Sequence, residues 1–374
     1  MKIEPFGIEM WMNEHETRCL HNAAESCVDS VTLAELTAMA GKTGVLMDEL
    51  LPLKLTYGAI QGSARLRRAI AALYRGRTED EVVVTHGAIG ANALLYQTLI
   101  EPGDEVVAVV PTYQQHTSIP ESQGAEVKRL VLREEEGYLP NLDELASLVT
   151  PRTRLISLTN PNNPTGALID EASLRAIAEI AARHDAWVIC DEVYRGINQT
   201  GDDLSPSIAE ISDKGVAVGS MSKAFALAGL RLGWIVAPPE LLHRVMIHRD
   251  YDTISVGAID DHLAAIALEN RDALLARNRD VVRTNLARLA TWMEREPRLS
   301  WVRPAGGTVT LLRYDASIGS VEFCTRLLEK TGVLLAPGAA FGVEGTVRIG
   351  FGNGAAALAG GLEGLSRFLR SLPT

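Results

Sequence analysis

Aromatic residues make up only 5% of the 374 positions. So thin a supply argues against a stacking platform for nucleic-acid bases. Positive charge is also in deficit, with 36 Lys and Arg against 47 Asp and Glu and a net charge of −11. That balance argues against a nucleic-acid-binding domain, which would usually carry a basic stripe, and gives no general attraction to anionic membranes. There are four cysteines, Cys19, Cys27, Cys190 and Cys324. No two stand in Cys-x-x-Cys spacing, so a reduced, cytoplasmic chain is expected. Long apolar runs are missing, and no window of about 18 residues could span a bilayer. Residues 1–12 lack the basic and apolar regions of a signal peptide. Internal repeats and low-complexity tracts are absent as well. His243 and His248 stand five apart with no third ligand nearby, so no metal site is expected.

What the chain does have is an ordinary globular composition, 47% hydrophobic and 22% charged, and enough length for a sizeable core. At about 150 residues per domain the length suggests one large or two medium domains. Apolar runs at 81–88, 104–113, 153–163, 186–194, 215–223 and 230–238 read as strands. Helical patterns at 63–75, 91–100 and 174–185 separate them. This alternation predicts an α/β fold with a mostly parallel sheet covered on both faces. After about residue 240 come amphipathic helices over 259–296, strand-like pieces at 306–314 and 346–351, and a helix at 320–331 between them. They predict a smaller α+β domain. We expect a large domain over 41–255, and a small one from 1–40 and 256–374. Trp187, Trp234 and Trp301 are expected to pack the core.

Six local patterns carry chemistry. In Ser220-Met221-Ser222-Lys223, one lysine follows a buried strand between two hydroxyls, and Arg231 comes eight residues later. A desolvated lysine amine loses its proton more readily and can form a Schiff base with a carbonyl. Arg231 and the hydroxyls suit a phosphate. Asp191-Glu192-Val193-Tyr194 ends another strand, where α/β sheets bind ligands. Asn160-Pro161-Asn162-Asn163-Pro164-Thr165-Gly166 forms a rigid turn at a strand end. Gly87-Ala88-Ile89 opens a helix whose free N–H groups suit a phosphate. Tyr113 follows Pro111 at the same rim. Tyr57-Gly58, with Gly62, Leu66 and Arg67, forms a turn before a helix. Singly, each has a bland explanation as a cap, a turn or a surface lysine.

In this order and combination, over residues from about 50 onward, the patterns resemble the class I/II pyridoxal-phosphate (PLP) aminotransferases of fold type I. The resemblance implies that Lys223 is the Schiff-base lysine and proton shuttle, and that Asp191 sits on the pyridine nitrogen. It implies that Tyr194 and Asn163 reach the 3′-oxygen and that Tyr113 stacks on the ring. Ser220, Ser222, Arg231 and the backbone at Gly87, Ala88 and Ile89 would bind the phosphate. Tyr57 would serve the neighbouring subunit of a homodimer. Arg348 would grip the substrate carboxylate, with Asn163 beside it. Tyr194 and Tyr113 stand where the acyl-CoA-condensing branch tends to have histidines, which favours amino-group exchange between an L-amino acid and a 2-keto acid.

The N-terminal segment departs from the family pattern. Residues 19–33 replace its Gly-containing apolar cover, in a style that resembles the capreomycidine-synthase branch. Those relatives imply an alternative: elimination and ring closure on an arginine-derived amino acid. Glu25 is expected to face the substrate side chain and favour a basic one, whereas Asp29-Ser30 is expected to cap the following helix. His116, three residues after Tyr113, is either an acid–base group near the substrate or a polar rim residue. A PLP-sensing regulator is the remaining reading, and it would need a DNA-binding domain. The site itself is expected to be locally basic, from Lys223, Arg231 and Arg348.

Overall fold

A computed structural model describes residues 2–201 and 203–373 of the chain. It opens with helix α1 (Gly7–His15) and the two-residue strand β1 (His21–Asn22). Seven strands then build the main sheet: β2 (Val82–Thr85), β3 (Glu105–Val110), β4 (Glu126–Val131), β5 (Thr153–Thr159), β6 (Trp187–Asp191), β7 (Gly215–Ser220) and β8 (Gly233–Val236). Their spatial order is β2-β8-β7-β6-β5-β3-β4. Only β8 runs against its neighbours, so the sheet is mostly parallel.

Alternation along the strands explains why both faces are covered. Leu155, Trp187 and Ile189 join Leu94, Leu95, Leu241 and Val245 of the helices Gly87–Leu99 and Pro239–Arg249. Ile156, Leu158, Val188 and Cys190 face the opposite way, against Leu145, Leu174 and Ile177 of Leu142–Leu148 and Glu171–Ala182. Successive side chains of a strand point to opposite faces, and each large aliphatic group buried on either side contributes about 2 kcal/mol. β4 is an edge strand in which only Leu130 is buried. Its sequence, EVKRLV, has no apolar run, so the pattern that revealed the other six strands did not reveal this one.

A second, four-stranded sheet has the order β12 (Ala336–Pro337), β13 (Thr346–Gly350), β10 (Val309–Tyr314), β9 (Leu299–Ser300). The remaining strand, β11 (Val333–Leu334), pairs in parallel with β1. The helix Ser320–Thr331 spans the residues its pattern predicts. Beyond β1, the stitch between the chain's start and its last third continues: Gly350 N donates to Ala23 O at 2.8 Å and Asp29 N to Gly352 O at 2.9 Å. Asp29 does not cap the next helix, Leu33–Met39, as expected. Thr32 caps it, accepting from Glu35 N while Glu35 reaches back to Thr32 N. Thr32 stands directly before the first helical turn, whereas Asp29 lies three residues too early and is held extended against Gly352. No helix among the described residues is long and apolar enough to cross a membrane.

Candidate active site

The carboxyl ends of β2, β3, β5, β6 and β7 lie along one edge of the main sheet. Because β8 is antiparallel, its first residues, just after Arg231, meet the same edge. A cavity of about 310 Å³ opens there, in the size range of small-ligand sites. Its wall includes Lys223, Asp191, Tyr194, Asn163, Tyr113, Ser220, Ser222, Ala88, Ile89, Arg231 and Arg348, all singled out from sequence.

One end is built for an anion. The helix Gly87–Leu99 begins here, and its first N–H groups have no partner within the helix. Gly87 has φ +67°, and a Cβ on it would come within 3.1 Å of the Arg231 guanidinium, so glycine leaves room for Arg231 over the helix start. Ser222 N donates to Ser220 Oγ at 3.3 Å, which folds the two hydroxyls into one turn.

Asp191 is 6% exposed. Its Oδ2 accepts from Asn92 Nδ2 at 3.0 Å and its Oδ1 from Val193 N at 3.2 Å. Beside it the Tyr194 hydroxyl is buried and has no hydrogen-bond partner among the described residues, and burial pushes its pKa up. In the turn after β5, Asn160 is spent on both backbone groups of Ile169, and Asn162 on Thr165 and Pro111. Asn163 alone is left to face the cavity. Its Oδ1 accepts from Arg348 Nη1 at 3.1 Å. Arg348 also donates to Ala24 O at 2.8 Å, and its buried Nε has no partner. Unpaired buried polar atoms are rare, and here, among the described residues, Tyr194, Arg348 and Asn92 each bring one to the wall of a single cavity.

The N-terminal segment closes the remaining side. Lys223 Nζ donates to Ser26 Oγ at 2.8 Å and to Cys27 Sγ at 3.3 Å. Glu25 Oε1 accepts from Ser26 N at 2.7 Å and Cys27 N at 2.8 Å. Burial would raise the Glu25 carboxyl, but the Lys223 ammonium and the Cys27 and Ser26 N–H groups hold it below the usual range. The expected effect of burial on Lys223 is likewise outweighed. Burial favours the neutral amine, yet Cys27, Tyr194 and Glu25 hold the group above its ordinary pKa. Burial also raises Cys27 and Tyr194 themselves, so at neutral pH both are uncharged and Glu25 is the anion that matters. The free amine expected from burial alone is therefore corrected to an ammonium.

Two further expectations change. His116 neither meets the substrate space nor lies on a rim. It is 0% exposed, with Nδ1 2.8 Å from Tyr96 Oη and 3.0 Å from Ser157 Oγ. Its Nε2 lies 3.6 Å from Asp191 Oδ2, behind the cavity wall. The helix Gln115–Ser122 turns that face toward the sheet. The site is also not simply basic, because Glu9, Glu16, Glu25 and Asp191 line the cavity with the three cations. Tyr57 is 73% exposed and stands outside its own chain's cavity. Sequence reasoning did not single out Ser26, Cys27, Asn92, Glu9 or Glu16. Only Asn92 carried a local signal, as a polar residue within the apolar run ANALLY.

A sequence profile described as aminotransferase class I and II matches residues 52–359. The capreomycidine synthase of Streptomyces vinaceus is 32% identical over 97% of this chain and 93% of its own. The arginine–pyruvate transaminase of Pseudomonas aeruginosa is 33% identical over 83% of this chain and 81% of its own. The crystal structure of a PLP-dependent aminotransferase from Streptococcus suis superposes with a TM-score of 0.97 at 40% identity, covering 100% of both chains. With the lysine, the acid and the anion cradle gathered on one sheet edge, these likenesses establish that the chain belongs to the class I and II aminotransferase family, whose cofactor is pyridoxal 5′-phosphate.

Proposed function

We propose that the protein is an aminotransferase that exchanges the amino group of an L-amino acid with a 2-keto acid at Lys223. The observation that carries this reading is one cavity holding Lys223, Asp191 and Arg348. The donor set suits PLP. Arg231, Ser220, Ser222 and the N–H groups of Gly87, Ala88 and Ile89 would take its phosphate, and the unpartnered Tyr194 hydroxyl its ring oxygen. Bound there, PLP supplies an electron sink for the pair left when a Cα–H bond breaks.

The chain's own groups do the rest. Asp191, oriented by Asn92 and the Val193 N–H, would present a carboxylate to the ring nitrogen, and Tyr113 would lie against the ring. Arg348, with Asn163 beside it, takes the substrate carboxylate through its open Nε edge, as a bidentate contact. Lys223 would carry the proton between Cα and the cofactor carbon, and Ser26 and Cys27, which accept from its Nζ, would orient it there. Tyr57, exposed in its own chain, fits a role beside the phosphate of a neighbouring copy in a homodimer.

A second reading is elimination and ring closure on an activated amino acid. The likeness to capreomycidine synthase, 32% identical over 97% of this chain, favours it. The experiment is direct. The purified protein should absorb near the visible edge, and borohydride reduction should place a phosphopyridoxyl mass on Lys223 that Lys223→Ala abolishes. Amino acid plus pyruvate should then yield a new keto acid and alanine. Elimination products without amine transfer would select the second reading. A colourless protein that cannot be reconstituted with PLP would overturn both.

A further inference from the structure

We infer that the substrate side chain ends in a positive charge, and that Glu9 and Glu16 of the α1 segment select it. This rests on the PLP reading above and names the substrate class for that site. Glu9, Met12 and Glu16 succeed one another at helical spacing of three and four residues, so they share one face, and all three line the cavity. An apolar thioether between two carboxylates suits an aliphatic stem with a cationic head.

Charge pairing singles out these two acids. Among the described residues no Lys, Arg or His stands in ion-pair distance of Glu9 or Glu16, whereas Glu25 is turned to Lys223 and to its own following N–H groups. Glu9 has one partner, the Tyr113 hydroxyl, which donates to Oε1 at 2.5 Å. Burial and Glu9 together push the Tyr113 pKa up, so the phenol keeps its proton and stays a donor to Glu9. The ligand's other end is marked independently. Arg348, 3% exposed, lines the same cavity with Nε unpartnered among the described residues, so it is placed to take a carboxylate. The acids are also held in place. Gly7 N donates to Gln114 Oε1 at 2.8 Å, Gln114 Nε2 to Pro5 O at 2.9 Å, and Trp11 Nε1 to Leu335 O at 2.9 Å. These bonds pin α1 to both sides of the cavity mouth. Glu25, to which the sequence assigned this selection, becomes a positioning residue for Lys223.

The test titrates the holoenzyme with the α-methyl derivatives of L-arginine, L-ornithine and L-citrulline, which lack the Cα–H bond and bind without turnover. Absorbance and heat are the readouts. One of the two cationic ligands should bind at least about tenfold more tightly than the neutral citrulline analogue, a difference of about 1.4 kcal/mol. Arginine ahead of ornithine identifies a guanidinium, and the reverse identifies an ammonium. Glu9→Gln combined with Glu16→Gln should erase the preference while PLP content and the visible band stay in place. Glu16→Gln alone, at an exposed position, provides a partial loss should the double variant not fold. Equal binding in wild type, a preference that survives both substitutions, or its loss in Glu25→Gln alone would overturn the inference. Failure to take up PLP would instead defeat the functional reading, and this inference with it.

Discussion

Replacing Glu192 by Gln should stabilise the protein more as pH rises. Glu192 belongs to the Asp-Glu-x-Tyr signature, yet it turns away from the cavity that its neighbour Asp191 lines. It is 3% exposed. Its Oε1 accepts from Ser207 Oγ at 2.8 Å and Ile208 N at 3.0 Å. Its Oε2 has no hydrogen bond, and Arg195 Nε stands 3.8 Å off, engaged with the Ser205 carbonyl. Burial therefore dominates. Arg195, Ser207 and Ile208 oppose it and Glu210 adds to it, and the carboxyl is pushed up from 4.5 to about 7. A raised acid binds its proton more tightly in the folded state, so stability falls as pH climbs from the unfolded value through the folded one. At about 1.4 kcal/mol per pH unit, the loss between pH 4.5 and 8 approaches 3 kcal/mol. Glutamine keeps an acceptor for Ser207 and Ile208 and does not titrate. Denaturant midpoints of wild type and Glu192→Gln, measured side by side from pH 5 to 8, should diverge in favour of the variant by about 2–3 kcal/mol. The visible band should be unchanged, because Glu192 does not line the cavity of Lys223. A difference between the two proteins that stays flat across the range would refute the reasoning.

Two further outcomes are expected. Arg348→Lys keeps a charge but loses the planar fork, so one bond to Asn163 or Ala24 and the bidentate grip are both forfeited. Steady-state kinetics should show KM for the amino acid rising about ten- to hundredfold, the range of one charge-assisted hydrogen bond, with PLP content retained. Gly350→Ala puts a Cβ into the Glu25 carbonyl. Overpacking of this kind costs about 1–3 kcal/mol, which a lowered denaturation midpoint would report.

The main sheet and the residues at its edge could be read because their signals are local. Each strand is a short apolar run, and each site residue lies within a few positions of a strand end, where parallel topology gathers ligand groups. Lys223, Asp191, Asn163 and Arg231 needed no knowledge of distant contacts. The misread positions are those whose meaning lies far along the chain. Lys223 meets Ser26 across 197 positions and Arg348 meets Ala24 across 324. No periodicity within residues 19–33 encodes either contact. His116 looked like a rim residue because it follows Tyr113. Its direction is set by Tyr96 and Ser157, on a helix and a strand that the local pattern does not join. Glu192 and Asp191 are adjacent in sequence and opposite in role, since neighbouring residues at a strand end face opposite ways.

The same division runs through the chemistry of the cavity. The groups suited to the cofactor come from the main sheet, where a rigid strand end fixes each one. The groups that meet the rest of the ligand come from α1, residues 24–27 and β13, brought together only when the two chain ends pair. Their charges are sorted by position. On the proposed reading Arg231 would mark the phosphate end and Arg348 the carboxylate end, while Glu9 and Glu16 line the cavity from the α1 side. The chain's overall charge of −11 does not predict this order, and neither does a locally basic site. A cavity with fixed positive groups at two points and unpaired carboxylates at a third orients an amino acid by all its charges at once. Turning the substrate over would set its carboxylate against Glu9 and its cation against Arg348, and like charges placed together cost more than a missing contact. On the proposed reading the N-terminal helix would decide which amino acid enters, and the sheet edge what can be done to it.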